Sequence, residues 1–127
     1  MNTLGLVAAV TAFFAIWAGH VAVRKIEFAS STIWLPTIIF IALGLTCEWF
    51  SLSTFNLQLS TIFGILGVTL LWDALEFTRQ QRRIRKGHAP ANPNNPRHAK
   101  ILAEPTSHAT TKDLLKREPT GKPITNH

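Results

Sequence analysis

The chain has a single cysteine, Cys47, and almost no cations in its first 78 residues. One cysteine excludes an internal disulfide, and its apolar neighbours indicate a small buried hydrophobic residue. Only Arg24 and Lys25 are basic before Thr78, whereas eleven of the thirteen Lys and Arg residues follow it. The two parts of the chain are therefore suited to different solvents.

The sequence also lacks the motifs of the common enzyme classes. It has no nucleophile elbow, no phosphate-binding loop and no pair of carboxylates typical of a soluble cleft. The histidines that follow His20 are scattered, without the spacing of a metal site. These absences predict a protein that is not an enzyme and that binds no metal.

Three long apolar segments predict transmembrane helices, over about residues 3–23, 32–50 and 59–86. The first has 21 residues, which reach about 30 Å in a helix, the thickness of the hydrocarbon core. It has no polar stripe of the kind that a soluble bundle needs. No basic residue precedes it, and it is too long for the apolar part of a signal peptide. We therefore predict an all-α integral membrane protein with three transmembrane helices.

The composition of the chain changes from apolar to basic and proline-rich at the end of the third segment. Residues 1–87 form the predicted transmembrane domain, and residues 88–127 form a basic tail with six of the seven prolines. Such a tail buries no core, so we expect it to be extended or disordered on its own. Only residues 110–118 are a candidate for one or two helical turns, capped by Thr110 or Thr111.

The distribution of cations predicts the orientation. The first loop contains Arg24 and Lys25, the second loop contains no charge, and the other eleven cations lie at or after Arg79. Three crossings then place all thirteen on one side, which is the cytoplasm by the positive-inside rule. We expect a multi-pass protein of a bacterial inner membrane, with the N-terminus outside and the C-terminus in the cytoplasm. Anionic lipids are its expected partners on that face, and nucleic acid is not.

Three ionisable residues are predicted near the cytoplasmic ends of the first and third helices. They are His20, Asp73 and Glu76. Helical spacing places Glu76 near Arg79 and Arg83, and Asp73 near His20. The cluster is read either as an ion-pair network that fixes helix depth or as a proton path or substrate site. The residues expected at the cytoplasmic interface are Arg24, Lys25, Glu27, Arg79, Arg82, Arg83, Arg85 and Lys86.

His20 and Glu48 each carry a separate expectation. His20 has the small neighbours Gly19 and Ala22, which leave room for a flat ring, so it is a candidate axial ligand for haem or a chlorophyll-type pigment. Glu48 follows the apolar part of the second segment and precedes Trp49. We expect Glu48 to be exposed to headgroups at the opposite interface.

Small residues recur at helical spacing in the first and third segments and predict close helix contacts. The set comprises Gly5, Ala8, Ala12, Ala15 and Gly19 in the first, and Ser60, Gly64 and Gly67 in the third. Whether these faces meet each other or a second protein is open at this stage.

These features lead to three functional hypotheses. The first is a non-catalytic accessory or stabilising subunit of a larger membrane complex, possibly bioenergetic or photosynthetic, which docks through the small-residue faces and the tail. The second is a small oligomeric transporter or proton-coupled carrier that uses His20, Asp73 and Glu76. The third is a subunit that binds haem or pigment at His20.

The assembled pattern resembles a family of short bacterial inner-membrane proteins known as a domain of unknown function, number forty-four ninety-one. The resemblance covers about residues 3–95 and rests on His20, Lys25, Glu27, Gly64, Gly67, Trp72, Glu76, Arg83, Lys86, Gly87, Pro90, Asn92 and Pro93. Val21 and Phe28 replace a Pro and a Tyr of the family pattern, and His88 with Ala89 replaces a Trp-Phe pair. The resemblance implies the three-helix topology and supplies no reaction.

Overall fold

The computed structural model describes residues 1–113 and contains four α-helices. These are α1 (Leu4–Ala29), α2 (Trp34–Ser53), α3 (Leu57–Arg85) and α4 (Pro96–Ala103). The first three are long and apolar enough to cross a membrane. The prediction of an all-α protein with three transmembrane helices is therefore confirmed.

Helix α3 is the centre of the fold. It packs against both α1 and α2, whereas α1 and α2 make few contacts with each other. Gln58 donates a hydrogen bond to Thr3 at one end of α3 (2.9 Å), and Asp73 contacts Gly19 further along. Gln58 follows Thr3 by 55 positions and Asp73 follows Gly19 by 54 (73 − 19). Because the contacts advance along both helices together, α1 and α3 run in the same direction, as predicted. The helices thus form an open layer with α2, α3 and α1 in that order.

Two helices extend beyond their apolar parts. α1 ends at Ala29 rather than near residue 23, and α3 continues without a break to Arg85, as its sequence predicts. The side chain of Asn56 caps the start of α3 by accepting from two backbone N–H groups. The parallel pair α1 and α3 therefore projects together from the apolar belt at the basic end of the protein.

Helix α4 lies in the segment that was predicted to be extended or disordered. Asn95 caps it, Pro96 occupies its first turn, and its residues His98 and Ile101 are buried. Residues 96–103 differ from the extended or disordered tail that was expected, because His98 meets Glu27 and Phe28 of α1 and Arg97 meets Gln81 of α3. The candidate turns at 110–118 lie largely outside the described residues.

The small residues of α3 face α2. The hydroxyls of Ser51 and Ser60 exchange hydrogen bonds with each other's backbone carbonyls at 2.7 and 2.8 Å. A Cβ at Gly64 would lie 3.1 Å from the Ser51 hydroxyl. Gly44 of α2 is similarly tight, because its Cβ would lie 2.8 Å from Cγ of Leu71. This stripe therefore serves packing within the chain.

The small residues of α1 face α3 over most of their length. Ala15 and Gly19 are buried, and Ala8 and Ala12 are half-buried on the same face. Gly5 differs, because it is exposed and has no neighbouring atom within 4 Å of a built Cβ.

Candidate functional site

A buried ion network lies at the basic end of α1. The carboxylate of Glu27, fully buried, accepts hydrogen bonds through the same oxygen from Arg97 (2.6 Å) and His98 (2.9 Å). Arg97 also donates to the backbone carbonyl of Glu27 at 2.6 Å and to the side chain of Gln81 at 2.7 Å. A charged pair is retained at such burial only with hydrogen bonds of this kind. The network therefore joins α1, α3 and α4.

Two asparagines of the segment before α4 complete the end of α1. Asn92 donates from its side chain to the carbonyl of Phe28 (3.0 Å). Asn95 donates to the carbonyls of Phe28 (3.1 Å) and Ser30 (2.8 Å). The last carbonyls of a helix have no partners within the helix itself. Residues more than sixty positions away in sequence supply those partners here.

The hydrogen bonds of His98 fix its tautomer. The backbone N–H of Asn92 donates to Nδ1 of His98 at 2.9 Å, so the imidazole proton lies on Nε2 and is donated to Glu27. The second carboxylate oxygen of Glu27, Oε2, is buried and has no hydrogen-bond partner among residues 1–113. Glu27 was predicted at the interface, but it is covered there by α4 rather than exposed on the surface.

The predicted ion pairs of Glu76 are present. Glu76 accepts from Arg79 (3.0 Å) and Arg83 (3.3 Å), which lie one and two turns further along α3. Arg79 also lies over the indole of Trp72, at 4.8 Å from the ring centroid. Glu76 is buried, whereas both arginines are about half exposed. This arrangement anchors the basic end of α3 to its last intramembrane turn.

Asp73 is buried at the contact between α1 and α3. A Cβ at Gly19 would overlap its carboxylate, so the glycine provides the space that the acid occupies. His20 directly follows Gly19, which contacts Asp73, so it lies near that acid as predicted, with its imidazole exposed on the surface of α1. The structure therefore brings His20, Asp73 and Glu76 to one end of the layer. The assignment of His20 as a ligand of haem or a pigment stays a prediction.

Glu48 does not project to the headgroups, so that prediction is wrong. Its side chain is half-buried and lies on Gly67, whose Cβ would be 2.8 Å from Cδ of Glu48. Gly67 lies in the middle of α3's apolar part, about 18 Å along the helix from Arg79. Glu48 lies on α2 but points toward its N-terminal end, as helical side chains do. The carboxylate of Glu48 therefore lies in the middle of the apolar belt, although the position of Glu48 next to Trp49 in the sequence suggested a place at its edge.

The remaining interface cations are exposed. Arg24, Lys25, Arg82 and Lys86 form no ion pair in the part of the chain that the structure describes. Arg85 pairs with Glu104 at 3.4 Å, with both side chains well exposed.

Sequence reasoning assigned no role at this site to five residues: Gln81, Asn92, Asn95, Arg97 and His98. The Asn-Pro dipeptide at Asn95 is a helix-start signal that would have located α4. No local pattern indicates that Arg97 and His98 meet Glu27, because the partners are 70 residues apart. Among residues 1–113, no group of three or more His, Cys, Asp or Glu side chains is placed to hold a metal ion.

Comparison with known proteins gives one match. No curated protein and no solved structure matches the chain. A family model described as a domain of unknown function (DUF4491) matches residues 2–95, a range that includes all three apolar helices and the asparagine Asn92. The chain therefore belongs to the DUF4491 family.

Proposed function

We propose that the protein is a non-catalytic accessory subunit of a larger membrane complex in a bacterial inner membrane, with its basic end in the cytoplasm. The observation that carries this proposal is an aromatic patch on the outer face of α1, composed of Phe13, Phe14 and Trp17. All three side chains are more than half exposed in the isolated chain. They lie on the face of α1 opposite to the one that contacts α3.

The depth of Trp17 favours a protein neighbour over lipid. Trp17 is seven residues before Arg24, about 10 Å inside the first charged position. Tryptophan usually lies at headgroup level, where its indole N–H finds a partner. The Trp17 N–H has no hydrogen-bond partner among the described residues. A neighbouring subunit would supply both a partner for the N–H and a packed surface for the two phenylalanines.

The basic end supports the same proposal in a different way. Residues 91–108 are held on α1 and α3 by the Glu27 network and by the backbone hydrogen bond that His108 donates to Arg85 (2.9 Å). Within the tail, Ala91 donates a backbone hydrogen bond to Thr110 (2.8 Å). The first part of the predicted docking tail thus folds as a cap beside the exposed cations Arg82, Arg85 and Lys86 of the basic end, and we propose that a partner contacts this end.

Replacing Phe13 and Trp17 together with leucine tests the proposal. Leucine keeps the surface apolar for lipid but removes the aromatic shape and the N–H. We expect the tagged double variant to retain less than about one fifth of the partner that wild type retains in mild detergent, since aromatic anchors typically contribute 2 kcal/mol or more to an interface. Quantitative co-purification from native membranes is the measurement.

The matched control is Trp49→Leu, which removes an exposed aromatic residue near the C-terminal end of α2, outside the aromatic patch of α1. It is expected to retain the partner at the wild-type level. A wild-type chain that elutes from mild detergent without any stoichiometric partner would refute the accessory role, because the aromatic patch would then face lipid alone.

A second candidate is a small proton-coupled carrier that functions as an oligomer and uses His20, Asp73 and Glu76. The specific observation in its favour is that Glu48 and Asp73 lie within the apolar belt without an ion pair to Lys or Arg in the described chain. Intramembrane carboxylates of this kind commonly bind protons or ions. Glu48 lies between α2 and α3, and Asp73 between α1 and α3, so the two acids lie at different helix contacts.

Proton flux into proteoliposomes tests this candidate. If the protein is a carrier, Asp73→Asn is expected to reduce the dissipation of a pH gradient at least tenfold, because the amide does not take up a proton. Glu104→Gln makes the same chemical change outside the belt and is expected to leave the flux unchanged. Wild-type proteoliposomes as tight as protein-free liposomes would exclude proton transport by this chain.

A further inference from the structure

A cavity of about 570 Å³ lies between the basic ends of α1 and α3. Arg24, Lys25 and Phe28 line its α1 side, and Arg83 and Ile84 line its α3 side. The segment from His88 to Pro90 lines its remaining side. Its volume falls in the range of small-molecule sites.

The wall of this cavity contains more Lys and Arg residues than acids. Arg24 and Lys25 have no carboxylate partner in the described chain. Two acids, Glu27 and Asp113, also contribute to the wall, but the Glu27 carboxylate is already bound by Arg97 and His98. A ligand that enters the cavity therefore meets Arg24 and Lys25, neither of which has a carboxylate partner among residues 1–113.

The position of the cavity relative to the apolar belt indicates the kind of ligand. Arg24 is the first charged residue after the apolar part of α1, so the cavity begins at the level of the lipid headgroups. Its wall combines these cations with apolar side chains, including Val21, Phe28 and Ile84. Basic pockets between transmembrane helices at this level are suited to lipid phosphates. A free phosphate ion would use the cations and leave the apolar wall without a role.

We propose that this cavity binds the phosphate headgroup of an anionic phospholipid from the leaflet at the basic end. Arg24 and Lys25 contact the phosphate, and the apolar wall holds the glycerol region of the lipid. The proposal stands independently of the accessory role, because it requires no protein partner.

The test compares two double variants that remove the same charge. In Arg24→Gln with Lys25→Gln, two cavity cations are lost, whereas in Arg82→Gln with Lys86→Gln two exposed cations outside the cavity are lost. Binding of short-chain phosphatidylglycerol to the full-length protein in neutral detergent is measured by native mass spectrometry, with phosphatidylcholine as the reference lipid. We expect the cavity variant to bind phosphatidylglycerol about tenfold more weakly than the control variant.

A third variant tests the cavity without changing its charge. Ala89→Phe fills space beneath the cap and is expected to weaken phosphatidylglycerol binding to a similar extent, and it keeps the proposal testable if the cavity variant fails to fold. Equal losses in the two double variants, or wild-type binding by Ala89→Phe, would show diffuse attraction to the basic surface and overturn the proposal. Inorganic phosphate that displaces the lipid at equal concentration would identify a free-anion site and overturn it as well.

Discussion

Glu27→Ala is expected to detach the cap formed by residues 91–108 from the helices. The substitution leaves Arg97 largely buried and without its carboxylate, and it removes the acceptor of the His98 imidazole N–H. Removing one partner of a buried ion pair typically costs about 3–5 kcal/mol. We therefore expect hydrogen-exchange protection of the Asn92 and His108 amides to fall by about two to four powers of ten.

The control for this prediction is Glu104→Ala, which breaks the pair between Arg85 and Glu104. Both of those side chains are 40% exposed or more, and exposed pairs contribute about 0–1 kcal/mol. Protection in the cap should therefore change by no more than about fivefold. Unchanged protection in Glu27→Ala would mean that the asparagine contacts to the end of α1 hold the cap without the ion network.

Local patterns predicted the membrane part of the fold because lipid imposes a simple requirement on sequence. A helix in hydrocarbon satisfies its own backbone and needs only length and apolar side chains. The pairs of Glu76 were predictable for a similar reason, since Arg79 and Arg83 are fixed by helical spacing along a single element. Asp73 near His20 followed from the depth of two parallel helices.

The position of Glu48 was misjudged, and the burial of Glu27 was not foreseen, because the surroundings of both residues come from other elements. Glu48 is near the end of α2 in sequence, but its side chain points back along the helix onto Gly67. Glu27 was predicted only to lie at the interface, and its own segment does not reveal that its partners are Arg97 and His98 of α4. The cap was also not predicted from composition. Its segment has too few apolar residues to form a core of its own, but it folds against α1 and α3.

The turn after α3 provides a second large expected effect, in Gly87→Ala. Gly87 has φ +80°, a left-handed conformation that costs other residues about 1–2 kcal/mol. A Cβ there would also lie 2.5 Å from the backbone carbonyl oxygen of His108. Relieving that overlap requires the backbone of the cap to move, which adds about 1–3 kcal/mol by analogy with overpacked cores. We expect the cap to lose about 2–5 kcal/mol of stability, measured by protease susceptibility after Arg85 in native conditions.

Two further substitutions separate the two causes. Asparagine tolerates the left-handed conformation better than alanine does, so Gly87→Asn should recover part of the loss if backbone conformation dominates. If the contact with His108 dominates, Gly87→Asn should lose at least as much cap stability as Gly87→Ala. The distance of 2.5 Å between a Cβ at Gly87 and the carbonyl oxygen of His108 favours this result. Gly5→Ala, at an exposed position with no atom within 4 Å, should leave the cap unaffected. A wild-type cleavage rate in Gly87→Ala would contradict the close approach of residues 87 and 108, on which the closure of the cap depends.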